Sequence, residues 1–551
     1  METLIQFYTR SPIRFWIGVA VLCALWFLPF QSAVPLFDWD EVNFAELARE
    51  MVVTGHYLQP QFEYRPFTEK PPLFFWLQAL SMQCFGTGEF GARFPNALAG
   101  FATLIALFYA GKRVQGVGFG LLWMGCYAAS TLPHLYFRSG LIDPWFNLFI
   151  FLALNELYAH QNRAEGQNAK SLWLGGIALG LAVLTKGPAA LLIVGLVVLV
   201  IEVFQGFRWL RKPLEPLVFG MACIGVSLLW YGSITLMNGP AFAIEFTLRQ
   251  WALLTTPDAG HGGFPGYHFV VLLLGCFPAS VGAIAALWGQ PKPRFRVDKV
   301  GYGLWMSALL WVVLILFSLV RSKIVHYSSL AYFPLAYWAA MGVAQMQREG
   351  GRIPSGLKAL GAAIALIYAL ASFALVGIGR NPGWLIERIE GDPFARANFE
   401  AAVEWPWFAL LAGFFALASA LVWIFRSKPF WILGLHLLWI QSALYLFPAR
   451  IERYSQHANV AFFKGLRGEA AHVATYGFKS YVPFYYSERQ PADVPQPGVE
   501  LLTDSLGLPA YFVVKIDKSA EFEAKAPDAR RLKAENGFVF YRREPSKTAL
   551  P

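Results

Sequence analysis

Asp38, Asp40 and Glu41 crowd the opening of FDWDEVNFAELAREM, and TEKPPLFFW further on adds Glu69 and Lys70. A second group, Arg138, Ser139 and Asp143, closes the stretch RSGLID directly ahead of an apolar run. Two acidic sites at one boundary can divide general-base work and substrate orientation between them. The cations are Lys70, Lys186 in TKGP, Arg249 in EFTLRQ, and Arg321 with Lys323 in FSLVRSKIVHY, each at the end of an apolar run. One such cation alone would simply snorkel. Several loops presenting cations on one face suit a phosphate or diphosphate headgroup, which needs charge-assisted donors from several directions. By the same reasoning Asp40 alone would be a helix cap; its company with Asp38, Glu41 and Asp143 is what suggests chemistry.

The elements that must hold these residues are membrane spans. Of 551 residues 56% are apolar and 15% charged, against about a quarter charged in globular chains. About thirteen nearly uncharged runs follow, from Ile13–Phe30 to Phe430–Phe447, some short of the roughly 20 residues a span needs. Lys112 and Arg113, Arg163, Arg208, Arg211 and Lys212, the Lys292–Lys299 group, Arg352, and Arg426 with Lys428 fall on one side, with Arg10 and Arg14. That side is cytoplasmic by the positive-inside rule, which puts the acids and the candidate cations outside. The net charge of +10 thus follows from topology and calls for no nucleic-acid partner. Arg10 and Arg14 ahead of an apolar stretch resemble a secretory signal, but the stretch is long for one, and an uncleaved first helix is expected. Cys23, Cys126, Cys223 and Cys276 sit in spans and Cys84 in an outside loop, with no disulfide framework or metal spacing.

Residues 1–449 read as a transmembrane domain and 450–551 as a polar, soluble α/β module outside, expected to serve as a cap. Ser455–Leu466 reads as a helix, and His472–Tyr476, Ala510–Ile516 and Gly537–Arg542 as strands. The first outside loop, 33–95, is expected to carry two interfacial helices. Phe44, Leu47, Ala48, Met51 and Val52 recur at helical spacing before Gly55, and Pro71 and Pro72 suit the start of a second helix, Leu73–Phe85. His261, His268 and His326, with Tyr327, follow no zinc spacing and read as ordinary loop histidines, so neither a metal nor another cofactor is expected.

DEVNFAELARE, EKPPLFFW, GARFPNAL, RSGLID, LTKGP and the stretch Phe317–Ala336 occur in this order over nearly the whole length. In that combination the chain resembles the GT-C glycosyltransferases, in the branch of the protein O-mannosyltransferases and the lipid A 4-amino-4-deoxy-L-arabinose transferases. The resemblance implies a GT-C fold in a bacterial inner membrane, with catalytic loops and the C-terminal domain in the periplasm. It implies a sugar carried on a polyprenyl phosphate and an acceptor that is a lipid, glycan or protein. Asp40 would be the catalytic carboxylate, supported by Asp143. Lys70 would hold the donor phosphate, helped by Arg249, Lys323 and Tyr327, while Lys186 would serve donor or acceptor; Glu41, Glu69 and Arg138 complete the substrate-binding set. The chain departs from the aminoarabinose transferases where their acidic motif commonly continues to Arg-Tyr, having Asn43 and Phe44 instead.

The expected reaction is a single displacement with inversion at the anomeric carbon. A flippase or transporter would place ionisable groups near the bilayer midplane, whereas these cluster at one face. An assembly scaffold would explain the tail but not acids and cations convergent from separate loops. An O-antigen ligase or polymerase would use a diphosphate-linked glycan chain.

Overall fold

The computed structural model describes residues 1–38, 40–162, 169–209, 211–255, 262–288, 301–349, 353–426 and 428–545. His261 and the basic residues Arg163, Lys292, Arg294, Arg296, Lys299 and Arg352 lie outside the described residues.

Every expected apolar run falls on helix. After α1 (Glu2–Arg10) and α2 (Pro12–Phe27), the first loop holds α3 (Asp40–Thr54), a two-residue ribbon β1 (Gln61–Phe62) and β2 (Arg65–Pro66), and α4 (Leu73–Phe85). The helical bundle continues with α5 (Glu89–Gln115), α6 (Val117–Ala128), the short α7 (Thr131–Tyr136), α8 (Asp143–Gln161) and α9 (Lys170–Lys186). Then come α10 (Ala189–Gln205), α11 (Leu214–Asn238), α12 (Pro240–Thr255), α13 (Tyr267–Gly275), α14 (Ala279–Trp288), α15 (Tyr302–Leu319) and α16 (Tyr332–Glu349). The helix α17 (Ser355–Arg380) is followed by α18 (Gly383–Ile386), α19 (Pro393–Phe399), α20 (Leu410–Phe425) and α21 (Pro429–Leu446). Among the described residues seven helices are long and apolar enough to cross a membrane, eight if α13 and α14, bent by 111°, form one span. The difference from about thirteen runs lies in shorter or more polar helices. Both α6 and α10 are apolar but have only 12 and 17 residues, and α8 carries Asn147, Asn155 and Glu156.

The C-terminal region comprises α22 (Pro448–Arg453), α23 (His457–Lys464), β3 (His472–Tyr476), α24 (Val482–Ser487), β4 (Ala510–Lys515), α25 (Ser519–Lys525), β5 (Arg530–Glu535) and β6 (Phe538–Arg543). Its sheet has the order β3-β4-β6-β5, with β3 and β4 parallel and the other pairs antiparallel.

This module is fused to the first loop by a common core. Val42, Leu47 and Met51 of α3 and Phe74 and Phe75 of α4 are buried in the same cluster as Phe463, Tyr485, Tyr486 and Phe540. Consequently α3 is not an amphipathic helix lying in the interface: every residue from Glu41 to Met51 is buried. Its polar face is covered by protein. Arg49 pairs with Glu46 and donates to the Arg489 carbonyl and the Tyr64 hydroxyl.

Candidate active site

Asp143 and Lys186 meet because α8 and α9 pack against each other and place these residues at adjoining ends. Asp143 opens α8 with Pro144 behind it, and Lys186 closes α9 before Gly187, whose φ of +83° stops the helix. Each charge sits at the helix end whose dipole favours it. Their ion pair is 2.7 Å long and largely buried. Lys186 also lies over the rings of Phe146 and Tyr327, 5.6 and 5.2 Å from the centroids.

The loop leading into Asp143 is pinned from three sides. Asn96 of α5 donates to the carbonyls of Ser139 and Leu141 at 2.6 Å. Glu41 accepts from the Gly140 N–H. Arg138 donates to the carbonyls of Trp26 and Pro29, locking the loop to the end of α2.

The second carboxylate, Asp40, begins α3 and is partly exposed. Between the acids stands His326, in the 3-10 segment Val325–Ala331, with Nε2 3.5 Å from Asp40 Oδ2 and 3.8 Å from Asp143 Oδ2. Asn147 of α8 donates to Ser329 of that segment at 2.8 Å, which holds it against α8. Burial holds the imidazole pKa below its ordinary value. Asp143 and Asp40 pull it up, Lys186 and Lys70 push it down, and desolvation decides the direction. Asp143 Oδ2 is buried and accepts no hydrogen bond from the described residues, an arrangement that needs a reason when the group is a carboxylate.

Asp40 and His326 open onto a cavity of about 640 Å³, lined also by Asp38, Asn43, Glu69, Tyr136, Ser139 and Arg249. Glu69 and Arg249 form an ion pair on its lining, joining the first loop to α12. Lys70, in the turn before α4, is near enough to act on the His326 charge.

Three residues expected to touch substrate are engaged elsewhere. Glu41 lines the cavity, but its carboxylate is buried on Arg93, Gly140 and the Phe37 N–H. Arg93 spends its other donors on the carbonyls of Gln31, Val34 and Pro35, so this pair builds the loop that carries Asp40. Arg138 is the clamp described above. Lys323 folds back onto the carbonyls of Phe317, Ser318 and Val320, capping α15 at its negative end. In each case the side chain's hydrogen-bonding capacity is taken up by backbone groups or by a buried partner. Among the described residues no group of three or more His, Cys, Asp or Glu forms a candidate metal site.

Lys479 and Tyr481 of the C-terminal region also line the cavity. Neither stood out in the sequence, since they lie in a polar stretch with no motif. His326 did stand out, but only as one of several loop histidines.

A family described as dolichyl-phosphate-mannose-protein mannosyltransferase matches residues 69–230. The chain is 27% identical over 375 residues to the undecaprenyl phosphate-alpha-4-amino-4-deoxy-L-arabinose arabinosyl transferase of Edwardsiella ictaluri, covering 66% of each chain. It is 27% identical over 354 residues to that of Pseudomonas aeruginosa, covering 61% of each. The matched stretch thus spans somewhat under two thirds of these relatives' length. The structure of ArnT from Cupriavidus metallidurans bound to undecaprenyl phosphate superposes with a TM-score of 0.75 at 18% identity, over 96% of this chain and 97% of that one. The fold of this chain is the GT-C fold. The chain is thus similar to ArnT in fold and to the arabinosyl transferases in sequence.

Proposed function

We propose that this multi-pass membrane protein transfers a sugar from a polyprenyl-phosphate donor to a lipid acceptor on the periplasmic face of a bacterial inner membrane, with inversion. The observation that carries the reading is the arrangement of Asp40 and Asp143 on either side of His326, with Lys186 paired to Asp143. Asp40, the partly exposed acid, orients or deprotonates the acceptor. Asp143 holds Lys186 and His326 in place. Lys70, Arg249 and Tyr327 bind the donor phosphate, with Glu69 aiming Arg249. A departing polyprenyl phosphate is already anionic, so it requires charge stabilisation rather than an acid. Side-chain cations supply that, and the scheme uses no cofactor.

The test is incubation of purified protein in lipid with radiolabelled polyprenyl-phosphate sugars and an envelope extract, comparing wild type with Asp40→Asn. Transfer that is lost in a folded Asp40→Asn protein supports the reading. Label that only moves between leaflets would replace it with a flippase.

A further inference from the structure

A second cavity, of about 830 Å³, shares no lining residue with the one that holds Asp40. It is enclosed by the end of α17, by α18 and the stretch after α19, and by α22. Three arginines line it. Arg380 closes α17, while Arg450 and Arg453 stand three positions apart on α22 and so share a face of that helix.

The acids nearby leave these cations in excess. Glu400 and Glu404 line the same cavity, but the Glu400 carboxylate pairs with Arg396 at 4.0 Å. Arg450 bonds the backbone carbonyl of Glu404, and among the described residues no ion pair joins the Glu404 carboxylate to any of the three arginines. Glu452, beside Arg453, is buried and turned to His457 at 3.3 Å. The donors are only partly spent as well. A guanidinium carries five N–H groups. Arg380 gives one to the Trp405 carbonyl at 2.8 Å and rests on the Trp407 ring, 3.6 Å from its centre. Arg450 gives two, to the carbonyls of Glu404 and Leu446. Arg453 gives none to a described residue. Two guanidinium groups are thus held in place with N–H groups to spare, and the third is uncommitted.

The surroundings are apolar and exposed. Trp384 on α18, and Trp407, Phe408 and Leu411 at the entry to α20, all face outward. Exposed tryptophans at the end of a span mark the membrane–water interface. Below them, Leu366, Ile367 and Leu370 of α17 and Phe414 and Leu421 of α20 are exposed along two helices long and apolar enough to cross a membrane. We propose that this cavity binds the phosphodiester headgroup of an anionic phospholipid. The arginines take the phosphate through charge-assisted hydrogen bonds, and the acyl chains run along the apolar faces of α17 and α20. Such a lipid also steadies the C-terminal region, because Phe394 of α19 packs edge-on against Phe538 of β6 at 5.1 Å.

The test is native mass spectrometry of the full chain, delipidated in a neutral detergent and titrated with three probes. These are phosphatidylglycerol, phosphatidylcholine with the same acyl chains, and glycerophosphoglycerol, which is the headgroup alone. Wild type should prefer phosphatidylglycerol to phosphatidylcholine about tenfold or more, the scale of one charge-assisted hydrogen bond. Arg453→Ala should lose most of that preference with an unchanged melting temperature in lipid-free detergent, and Arg453→Lys should keep much of it. Glu404→Gln should tighten phosphatidylglycerol, a gain that no loss of packing produces. Glycerophosphoglycerol should bind far more weakly than the lipid; equal binding would make the occupant a soluble anion and overturn the proposal. An equal loss of both lipids in Arg453→Ala, or a preference that survives both Arg453→Ala and Arg380→Ala, would overturn it too.

Discussion

The Nε2 of His326 stands 3.5 Å from the Oδ2 of Asp40. Burial, aided by Lys186 and Lys70, keeps the imidazole pKa below its usual value in spite of two neighbouring carboxylates. At neutral pH His326 is uncharged and can exchange hydrogen bonds with Asp40. As pH falls through the lowered pKa, an imidazolium forms between the acids and competes with acceptor and donor for them. The acid limb of kcat/KM should therefore contain a group titrating below about 6.5, the ordinary imidazole value. In His326→Gln that component should vanish while kcat falls. The same shift has a stability sign: between the two pKa values the unfolded chain binds more protons than the native one. The contribution is present above about 6.5 and is lost as pH falls. A variant with an unchanged acid limb would rule out this role.

Lys186 and Asp143 form a largely buried ion pair in the site. Removing one partner leaves the other charged and desolvated, which costs about 3–5 kcal/mol. Lys186→Met should lower the melting temperature strongly and abolish transfer. The double variant Lys186→Met/Asp143→Asn should recover much of the melting temperature with no recovery of activity, because the orienting charge is absent. Thermal unfolding in detergent, read beside transfer, separates the two effects. Recovered activity in the double variant would make the pair purely structural.

How far the sequence carried depends on whether a residue's partner lies close along the chain. The helical runs were legible because a span declares itself by composition alone, and β3, β4 and β6 because they are rich in β-branched and aromatic residues and bounded by Gly or Pro. The strand β5, RRLKAE, was missed: it is an edge strand exposed at every position, so nothing apolar marks it. Asp40, Asp143 and Lys186 were legible as charges beside apolar runs. The pairing of Glu41 with Arg93 is not visible in spacing, since 52 residues separate them, and neither is the capping by Lys323. The lysine reads as a substrate cation until the α15 carbonyls are seen beneath it. Burial of α3 on all sides depends on Tyr485, Tyr486 and Arg489, more than 400 residues away, which no periodicity within α3 can announce.

Arg249 and Glu69 are both partly exposed, so their ion pair contributes at most about 1 kcal/mol to stability. Substitution therefore isolates function from folding. Arg249→Ala should leave the melting temperature within a degree or two of wild type and raise the donor KM about tenfold or more, the loss of one charge-assisted contact to phosphate. Glu69→Gln should act in the same direction but more weakly, since it frees Arg249 without removing it. Unchanged donor KM in Arg249→Ala would mean that α12 only closes the cavity.

Glu50, on the helix that begins with Asp40, is buried beside Glu46, and its carboxyl pKa is raised above the ordinary carboxylate range by desolvation first and by the Glu46 charge second. The native chain keeps this proton at pH values where the unfolded chain has released it. Stability is therefore fully present below about 4.3, the unperturbed glutamate value, and declines as pH rises towards the native pKa. A neutral amide removes that dependence. Glu50→Gln should melt above wild type at pH 8 and draw level with it near pH 5. Because α3 positions Asp40, the variant should also retain more activity than wild type after incubation at alkaline pH. Melting curves taken across that range decide the matter: parallel curves for the two proteins would mean that Glu50 is ionised in the folded chain at neutral pH and is balanced there by Arg49.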